Sequence, residues 1–295
     1  MVELKGKDLR DKLLLSLKEQ VKNVPTQLGL AVIQIGDDEA SKVYVGQKEK
    51  LAVEMGYKFI HKVFNEDVHQ QDVLNYIEEL NNDDTIDGIL VQMPLPKHLD
   101  TTVIQNTIDP NKDVDGLTFI NAGRLVQNMP SLVPCTPMGI IDILDNYNIP
   151  IEGKKVVVIG RSILVGKPIA NMLTNRNASV SVCHSRTTDI SSYTKNADII
   201  VVAVGKAKYL TSDMVNPGAV IIDVGINRID GKLIGDVDYE NVAEKASYIT
   251  PVPGGVGPMT VYELMHNVYL AHQLREKNKI DKLEETKRLE LTLHS

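Results

Sequence analysis

Apolar residues recur at helical spacing over residues 7–21 (Leu9, Leu13, Leu14, Leu17, Val21), and the next apolar run, 28–35, is unbroken and of strand length. The pattern then repeats: 38–55 predicts a helix, 57–63 an extended segment, 69–80 a helix, and 88–91 a strand running into Gln92-Met93-Pro94-Leu95-Pro96. Strands alternating with helices predict a parallel, helix-covered sheet. Over 108–137 the periodicity fades while Pro, Gly, Asn and Asp accumulate, which predicts an irregular connection and a domain junction. Thr136 and Pro137 read as the N-cap and first turn of a helix reaching about Tyr147. Four β-branched strands follow at 155–160, 178–183, 197–204 and 219–224, each separated by room for a crossover helix. That is a doubly wound nucleotide-binding layout. A last helix, 260–276, follows the Gly- and Pro-rich stretch 251–258, and 281–295 reads as a charged, solvated tail.

Composition narrows the classes. A chain of 295 residues with 43% hydrophobic and 24% charged residues has the length for two medium domains and the mixture of a folded protein. A net charge of -7 argues against a nucleic-acid partner, whose phosphates need Lys and Arg. Two cysteines, Cys135 and Cys183, are too few for a disulfide framework or a four-thiolate zinc site, so a reducing, cytoplasmic setting is expected. Charges interrupt the first twelve residues, and no apolar run nears the roughly 20 residues that span a bilayer, so neither a secretion signal nor a membrane segment is expected.

The candidate chemistry sits in two places. In the first, Gly160 ends a strand and Gly166 precedes a helix that carries Pro168 in its first turn, an arrangement able to cradle a pyrophosphate on free amides. The spacing is not GxGxxG, and a plain strand-to-helix turn also satisfies it. After the next strand, His184-Ser185-Arg186-Thr187 stands where NAD-selective folds carry an acid. Ser185 can donate to a 2′-phosphate and Arg161 or Arg186 can neutralise it, which favours NADP. In the second place, Tyr44 and Lys48 share a helix face at i, i+4, Gln92 follows a strand's carboxyl end, and Asp115 lies in an irregular connection. Taken singly, Lys48 fits a solvated helix lysine better than a catalytic one and Tyr44 an amphipathic edge residue, while Gln92 also fits a buried hydrogen-bonding residue and Asp115 a turn former.

Taken together, six motifs carry a resemblance: Tyr44 with Lys48; Gly88-Ile89-Leu90-Val91-Gln92-Met93-Pro94-Leu95-Pro96; Lys112-Asp113-Val114-Asp115-Gly116; Pro134-Cys135-Thr136-Pro137; Gly160-Arg161-Ser162; and the ten residues 251–260. In that order, from the first helix to about Glu276, the chain resembles the bifunctional methylenetetrahydrofolate dehydrogenase and methenyltetrahydrofolate cyclohydrolase family. The resemblance implies an α/β protein of two domains. These are an N-terminal α/β catalytic, folate-binding domain over 1–135 and a C-terminal Rossmann-type doubly wound parallel-sheet domain over 136–259 that binds NADP. Helix 260–277 returns to the catalytic domain, and a cleft between the two holds folate. It further implies a homodimer and tetrahydrofolate derivatives as substrates; hydride transfer between two aligned rings requires no metal. Matched residue by residue, Lys48 is the catalytic lysine, Tyr44 stacks near the pterin, Gln92 orients the lysine and Asp115 hydrogen-bonds the pterin. Pro253, Gly254 and Gly255 line the folate cleft, and Gly160, Arg161, Ser162, Ser185 and Ile226 match cofactor contacts. Residues 2–7 lack the family's usual opening. The rivals are a dehydrogenase without hydrolysis and a non-catalytic NADP-binding protein of the same fold; the presence of Lys48, Gln92 and Asp115 speaks against both.

Overall fold

The computed structural model of the protein describes residues 1–293. In chain order the elements are β1 (Val2–Glu3), α1 (Gly6–Lys22), β2 (Gly29–Ile35), α2 (Glu39–Glu54), β3 (Lys58–Phe64), α3 (Gln70–Asn82), β4 (Gly88–Val91), α4 (Thr101–Thr107), α5 (Phe119–Val126) and α6 (Cys135–Asn146). They continue as β5 (Lys155–Ile159), α7 (Gly166–Asn175), β6 (Ser179–Cys183), α8 (Ile190–Thr194), β7 (Ile199–Val202), β8 (Val220–Asp223), β9 (Asn227–Ile229), β10 (Lys232–Ile234), α9 (Tyr239–Ala243), β11 (Tyr248–Ile249) and α10 (Val256–Leu293). The chain divides into a larger unit, Met1–Lys18 with Ile120–Leu264, and a smaller one, Glu19–Phe119 with the chain from Met265 onward.

The smaller unit is built on a three-stranded sheet in the order β3-β2-β4, with both pairings parallel. Every residue of β2 is buried, as a parallel strand covered on both faces requires, and Ala31, Ile33, Ile77, Ile86, Ile89 and Ile104 fill one core. Because β3 and β4 flank β2 on opposite sides, the winding reverses at the carboxyl end of β2, a position where open sheets gather ligands. Asp87 ties the unit together at the other end of the sheet. Its buried carboxylate accepts from the Gly29 amide at 2.9 Å and from Arg275 on α10 at 3.0 Å.

The larger unit holds a six-stranded, all-parallel sheet in the order β1-β11-β8-β7-β5-β6, around a core that includes Val157, Ile200, Ile221 and Ile249. Here the winding reverses at the carboxyl end of β5. Val2, Glu3 and Leu4, a stretch without a strand pattern, join the sheet through amides bonded to Ser247 and Ile249 carbonyls.

Four local expectations change. The connection over 108–137 contains a helix, α5, whose Asn121 and Leu125 are buried. Helix α6 starts at Cys135 with Pro134 at its N-cap, and Thr136 does not cap it, because its hydroxyl is engaged by Thr260 at 3.0 Å. Between β7 and β8 there is a single 3-10 turn, Ser212–Met214, instead of a crossover helix. The final helix begins at Val256, within the Gly- and Pro-rich run, since Pro258 in a first turn gives up an amide that has no helical partner anyway. It extends to Leu293, so the tail expected over 281–295 starts as helix, and its last two residues lie outside the described residues.

Glu263 on α10 is fully buried, and burial pushes its carboxyl up to about 7. A folded-state value above the ordinary 4.5 means that the group's contribution to stability is complete below about 4.5 and is lost as pH rises through about 7. Thermal unfolding of the parent at pH 6 and pH 8 is therefore expected to show a lower Tm at pH 8. Glu263→Gln, which stays neutral, should narrow that gap by several degrees. A gap of the same size in the variant assigns the pH dependence to other groups.

Candidate active site

The smaller unit brings three of the sequence-predicted residues to the carboxyl edge of its sheet. Helix α2 leaves that edge after β2. Asp38 caps it by accepting the Ser41 amide at 2.8 Å, an interaction that lowers the Asp38 carboxyl below its usual range. Val45 and Ala52 anchor the helix in the core, which leaves Tyr44 and Lys48 on another face one turn apart. Gln92 follows β4 directly and keeps its alignment by donating its amide to the Ile33 carbonyl at 2.8 Å. Its side-chain nitrogen donates to the Met93 carbonyl at 2.8 Å, so its oxygen is turned to Lys48 Nζ, also at 2.8 Å. An amide oxygen fixes the direction of the amine without adding a countercharge.

Asp115 arrives from a segment that runs beside β4. The Ile89 amide donates to the Lys112 carbonyl at 2.8 Å, and Gly88 makes the approach possible, because a Cβ there would lie 2.6 Å from the Val114 side chain. Three anchors hold this segment. The buried Lys112 ammonium donates to the Leu80 and Asp83 carbonyls, each at 2.8 Å, at the end of α3. The buried Asp113 carboxylate accepts the Thr118 amide at 2.8 Å and the Gln105 side chain at 3.3 Å. Asn267 on α10 donates to the Val114 carbonyl at 2.8 Å. Burial pushes Asp115 up to about 6, opposed by the Lys48 charge and reinforced by Asp113. An amine, a neutral acceptor and a carboxyl that titrates near neutrality thus share one edge. The set can orient water, move a proton and accept hydrogen bonds from a ligand. Tyr44 does not join the hydrogen-bonded group; its ring is 53% exposed and free to be covered by a flat ligand.

Sequence reasoning quoted Lys112 and Asp113 only as parts of a motif, and missed Gln105 and Asn267. Burial decides their roles, and a polar residue at an amphipathic helix position carries no mark of being buried.

The larger unit holds the remaining candidates. Gly160, with φ of +129°, ends β5 where a Cβ would lie 2.3 Å from the Ala203 carbonyl, and a Cβ on Gly166 would lie 2.3 Å from the Gly160 carbonyl. Both positions therefore require glycine. Ser162 closes the loop, its hydroxyl accepting the Val165 amide at 3.1 Å and its carbonyl the Lys167 amide at 3.0 Å. The backbone cradle, at the start of a ten-residue helix and at the switch point of the sheet, fits a dinucleotide's pyrophosphate. Arg161 on this loop and Ser185 and Arg186 after the neighbouring β6 are exposed, and no carboxylate stands among residues 184–187. Ile226, 55% exposed, follows β8. Pro253, Gly254 and Gly255 form a tight turn before α10, in which the Gly255 amide donates to the Pro251 carbonyl at 2.8 Å and the Gly254 carbonyl accepts the Lys7 amide at 3.1 Å. They belong to the larger unit, and Lys48, Gln92 and Asp115 to the smaller. Among the described residues no cluster of three His, Cys, Asp or Glu side chains is placed to hold a metal ion, and no helix is long and apolar enough to cross a membrane.

Comparison with known proteins gives a consistent result. The family model for the tetrahydrofolate dehydrogenase/cyclohydrolase catalytic domain matches residues 4–115, and that for the tetrahydrofolate dehydrogenase/cyclohydrolase NAD(P)-binding domain matches residues 134–276. The chain is 51% identical over 258 residues to the bifunctional protein FolD of Campylobacter concisus, covering 87% of this chain and 91% of that protein. It is similar in structure to the bifunctional enzyme FolD, methylenetetrahydrofolate dehydrogenase/cyclohydrolase, from Campylobacter jejuni, with a TM-score of 0.91 and 47% identity over 93% of this chain and 99% of that one. The Trypanosoma brucei N5,N10-methylenetetrahydrofolate dehydrogenase-cyclohydrolase, solved with NADP cofactor and inhibitor, gives a TM-score of 0.88 at 33% identity, over 93% of this chain and 98% of that one.

Proposed function

This chain belongs to the tetrahydrofolate dehydrogenase/cyclohydrolase family, and from that premise we propose that Lys48 handles the proton in its hydrolytic step. The protein is a bifunctional enzyme of one-carbon metabolism. It oxidises 5,10-methylenetetrahydrofolate to 5,10-methenyltetrahydrofolate with NADP, and hydrolyses the product to 10-formyltetrahydrofolate.

The observation that carries the assignment is the 2.8 Å bond from Lys48 Nζ to Gln92 Oε1, with Asp115 close enough to feel the lysine's charge. The methenyl product is a cation whose bridging carbon is attacked by water, and the attack is completed when that water gives up a proton. Lys48 is the group at the sheet edge that can direct the water, and it takes the proton in its neutral form, after the amine has given up the charge that Asp115 feels. Gln92 aims the amine and keeps its place through two backbone contacts. Asp115 accepts from the pterin's nitrogen donors and is mostly ionised at pH 7. Tyr44 covers a ring face, and Pro253, Gly254 and Gly255 contribute to folate binding. NADP supplies the hydride acceptor when bound. Gly160 and Ser162 shape its pyrophosphate cradle, Ile226 offers an apolar contact, and Arg161 and Ser185 read the 2′-phosphate.

Two wider readings accompany this one. The free edge of β6 presents Val182, with Tyr193 on the adjoining helix, both more than 40% exposed, and a second copy pairing there would bury the unpaired strand. Cys135 and Cys183 are buried thiols that form no disulfide, in keeping with a cytoplasmic enzyme, which cell fractionation checks.

Lys48→Met keeps the apolar stem and removes the amine. Methenyl-folate hydrolysis should fall by roughly 100-fold or more while measurable dehydrogenase activity persists, so that methenyl-folate accumulates in a spectrophotometric assay. A folded variant that hydrolyses at the parental rate places the base elsewhere. Arg161→Ala should raise KM for NADP by about tenfold or more with little change for NAD, because only NADP carries the 2′-phosphate. Equal losses with both cofactors remove Arg161 from that role. Light scattering should give a dimer mass for the parent and a monomer mass for Val182→Glu; a parental monomer rejects the pairing.

A further inference from the structure

The carboxyl edge of the six-stranded sheet contains two buried acids that neither the motifs nor the reaction account for. Asp223 ends β8 and Asp236 lies beyond the β9–β10 hairpin, 2% and 0% exposed respectively. Asp223 accepts the Gly225 amide at 2.9 Å, the Asp236 amide at 2.9 Å and the Val237 amide at 3.0 Å. Asp236 accepts the Val204 amide at 2.7 Å and the Gly205 amide at 2.8 Å on one oxygen, and the Asn227 side chain at 2.9 Å on the other. Five backbone amides and one side-chain amide thus converge on two carboxylates. The packing leaves no slack: a Cβ on Gly225 would lie 2.2 Å from the Asp236 carboxyl, and one on Gly235 would lie 1.9 Å from that of Asp223.

The amides come from three separate segments. Residues 204–205 follow β7, residues 225–227 follow β8, and residues 236–237 follow the hairpin. The first of these adjoins Ala203, whose carbonyl bounds the space at Gly160 in the pyrophosphate cradle, and the second carries Ile226. A buried carboxylate without donors is expensive, so Asp223 keeps its place only while the second and third segments stay in register, and Asp236, carried by the third, only while the first and second do.

We propose that Asp223 and Asp236 are positioning residues for the dinucleotide: as a pair they lock the loops after β7 and β8 into the shape that receives NADP, and they do so without touching it. The proposal rests on the reading that Gly160, Ser162 and Ile226 hold NADP. It assigns to Asn227 the role of the side chain through which Asp236 holds the loop carrying Ile226.

Asp236→Asn is the informative change. The new amide can keep its oxygen on the Val204 and Gly205 amides, but its nitrogen then faces the Asn227 nitrogen, donor against donor. The Kd for NADPH, read by fluorescence titration, should rise about tenfold, the equivalent of one lost buried hydrogen bond. Asn227→Ala removes the same link from the other side and should reproduce the rise. Methenyl-folate hydrolysis, which consumes only water, measures in the same samples whether the fold is intact. Asp213→Asn, an exposed acid on the turn after β7, should leave Kd unchanged. The proposal is overturned if Asn227→Ala and Asp236→Asn bind NADPH as the parent does, or if hydrolysis falls in step with binding. Should Asp236→Asn fail to fold, Asn227→Ala decides alone. A parent protein that does not bind NADPH sinks the cofactor reading itself, an outcome distinct from failure of the variants to differ.

Discussion

The bond between Lys48 and Gln92 exists because two parallel strands end side by side. Strand β2 hands the chain to the helix that carries Lys48, and β4 ends at Gln92, whose amide is still registered on Ile33 of β2. Parallel pairing fixes both ends at the same edge, and the outward winding of β3 and β4 leaves that edge uncovered. A lysine and a glutamine 44 residues apart can therefore meet at 2.8 Å with neither held by a loop of its own. A site built this way inherits the rigidity of the sheet, which proton transfer to a defined atom requires.

In both units the protein uses one device repeatedly: a buried carboxylate that accepts backbone amides. Asp113 holds the turn that presents Asp115, Asp87 joins β2 and α10, and Asp223 with Asp236 ties together the loops after β7 and β8. Loops at the carboxyl ends of strands carry unsatisfied amides, and a carboxylate accepts two or three at once in a small volume. Glycines at 88, 225 and 235 give the necessary room, since any side chain there would overlap the neighbouring group. Polar residues in the interior thus set loop shape while aliphatic ones supply the bulk of the burial.

The two units solve different electrostatic problems with the same architecture. In the smaller one, burial pushes the Asp115 carboxyl up to about 6 against the opposing charge of the nearby Lys48 amine. In the larger one, the polar surface is backbone: a glycine-lined turn at the start of a helix, with Ser162 satisfying some amides. The first arrangement suits a ligand that must exchange a proton, the second one that must only be held.

The alternation of strands and helices was legible from residue 7 onward because a buried parallel strand and an amphipathic helix have different periods. The same reading singled out the switch-point glycine, the missing acid after β6 and, as candidates, Lys48, Gln92 and Asp115, the last three of which the smaller unit brings to one edge. It misassigned Thr136 as a cap because a threonine before a proline has the same local signature whether its hydroxyl turns to its own helix or, as here, to Thr260 on α10. Asp113 and Asp115 make the point most sharply. Two residues apart and chemically identical in the chain, one is wholly buried on the Thr118 amide while the other feels the charge of Lys48. Sequence periodicity reports which residues can be buried; only the folded chain decides which amide, carbonyl or ammonium each polar group meets, because those partners come from segments that the sequence keeps far apart.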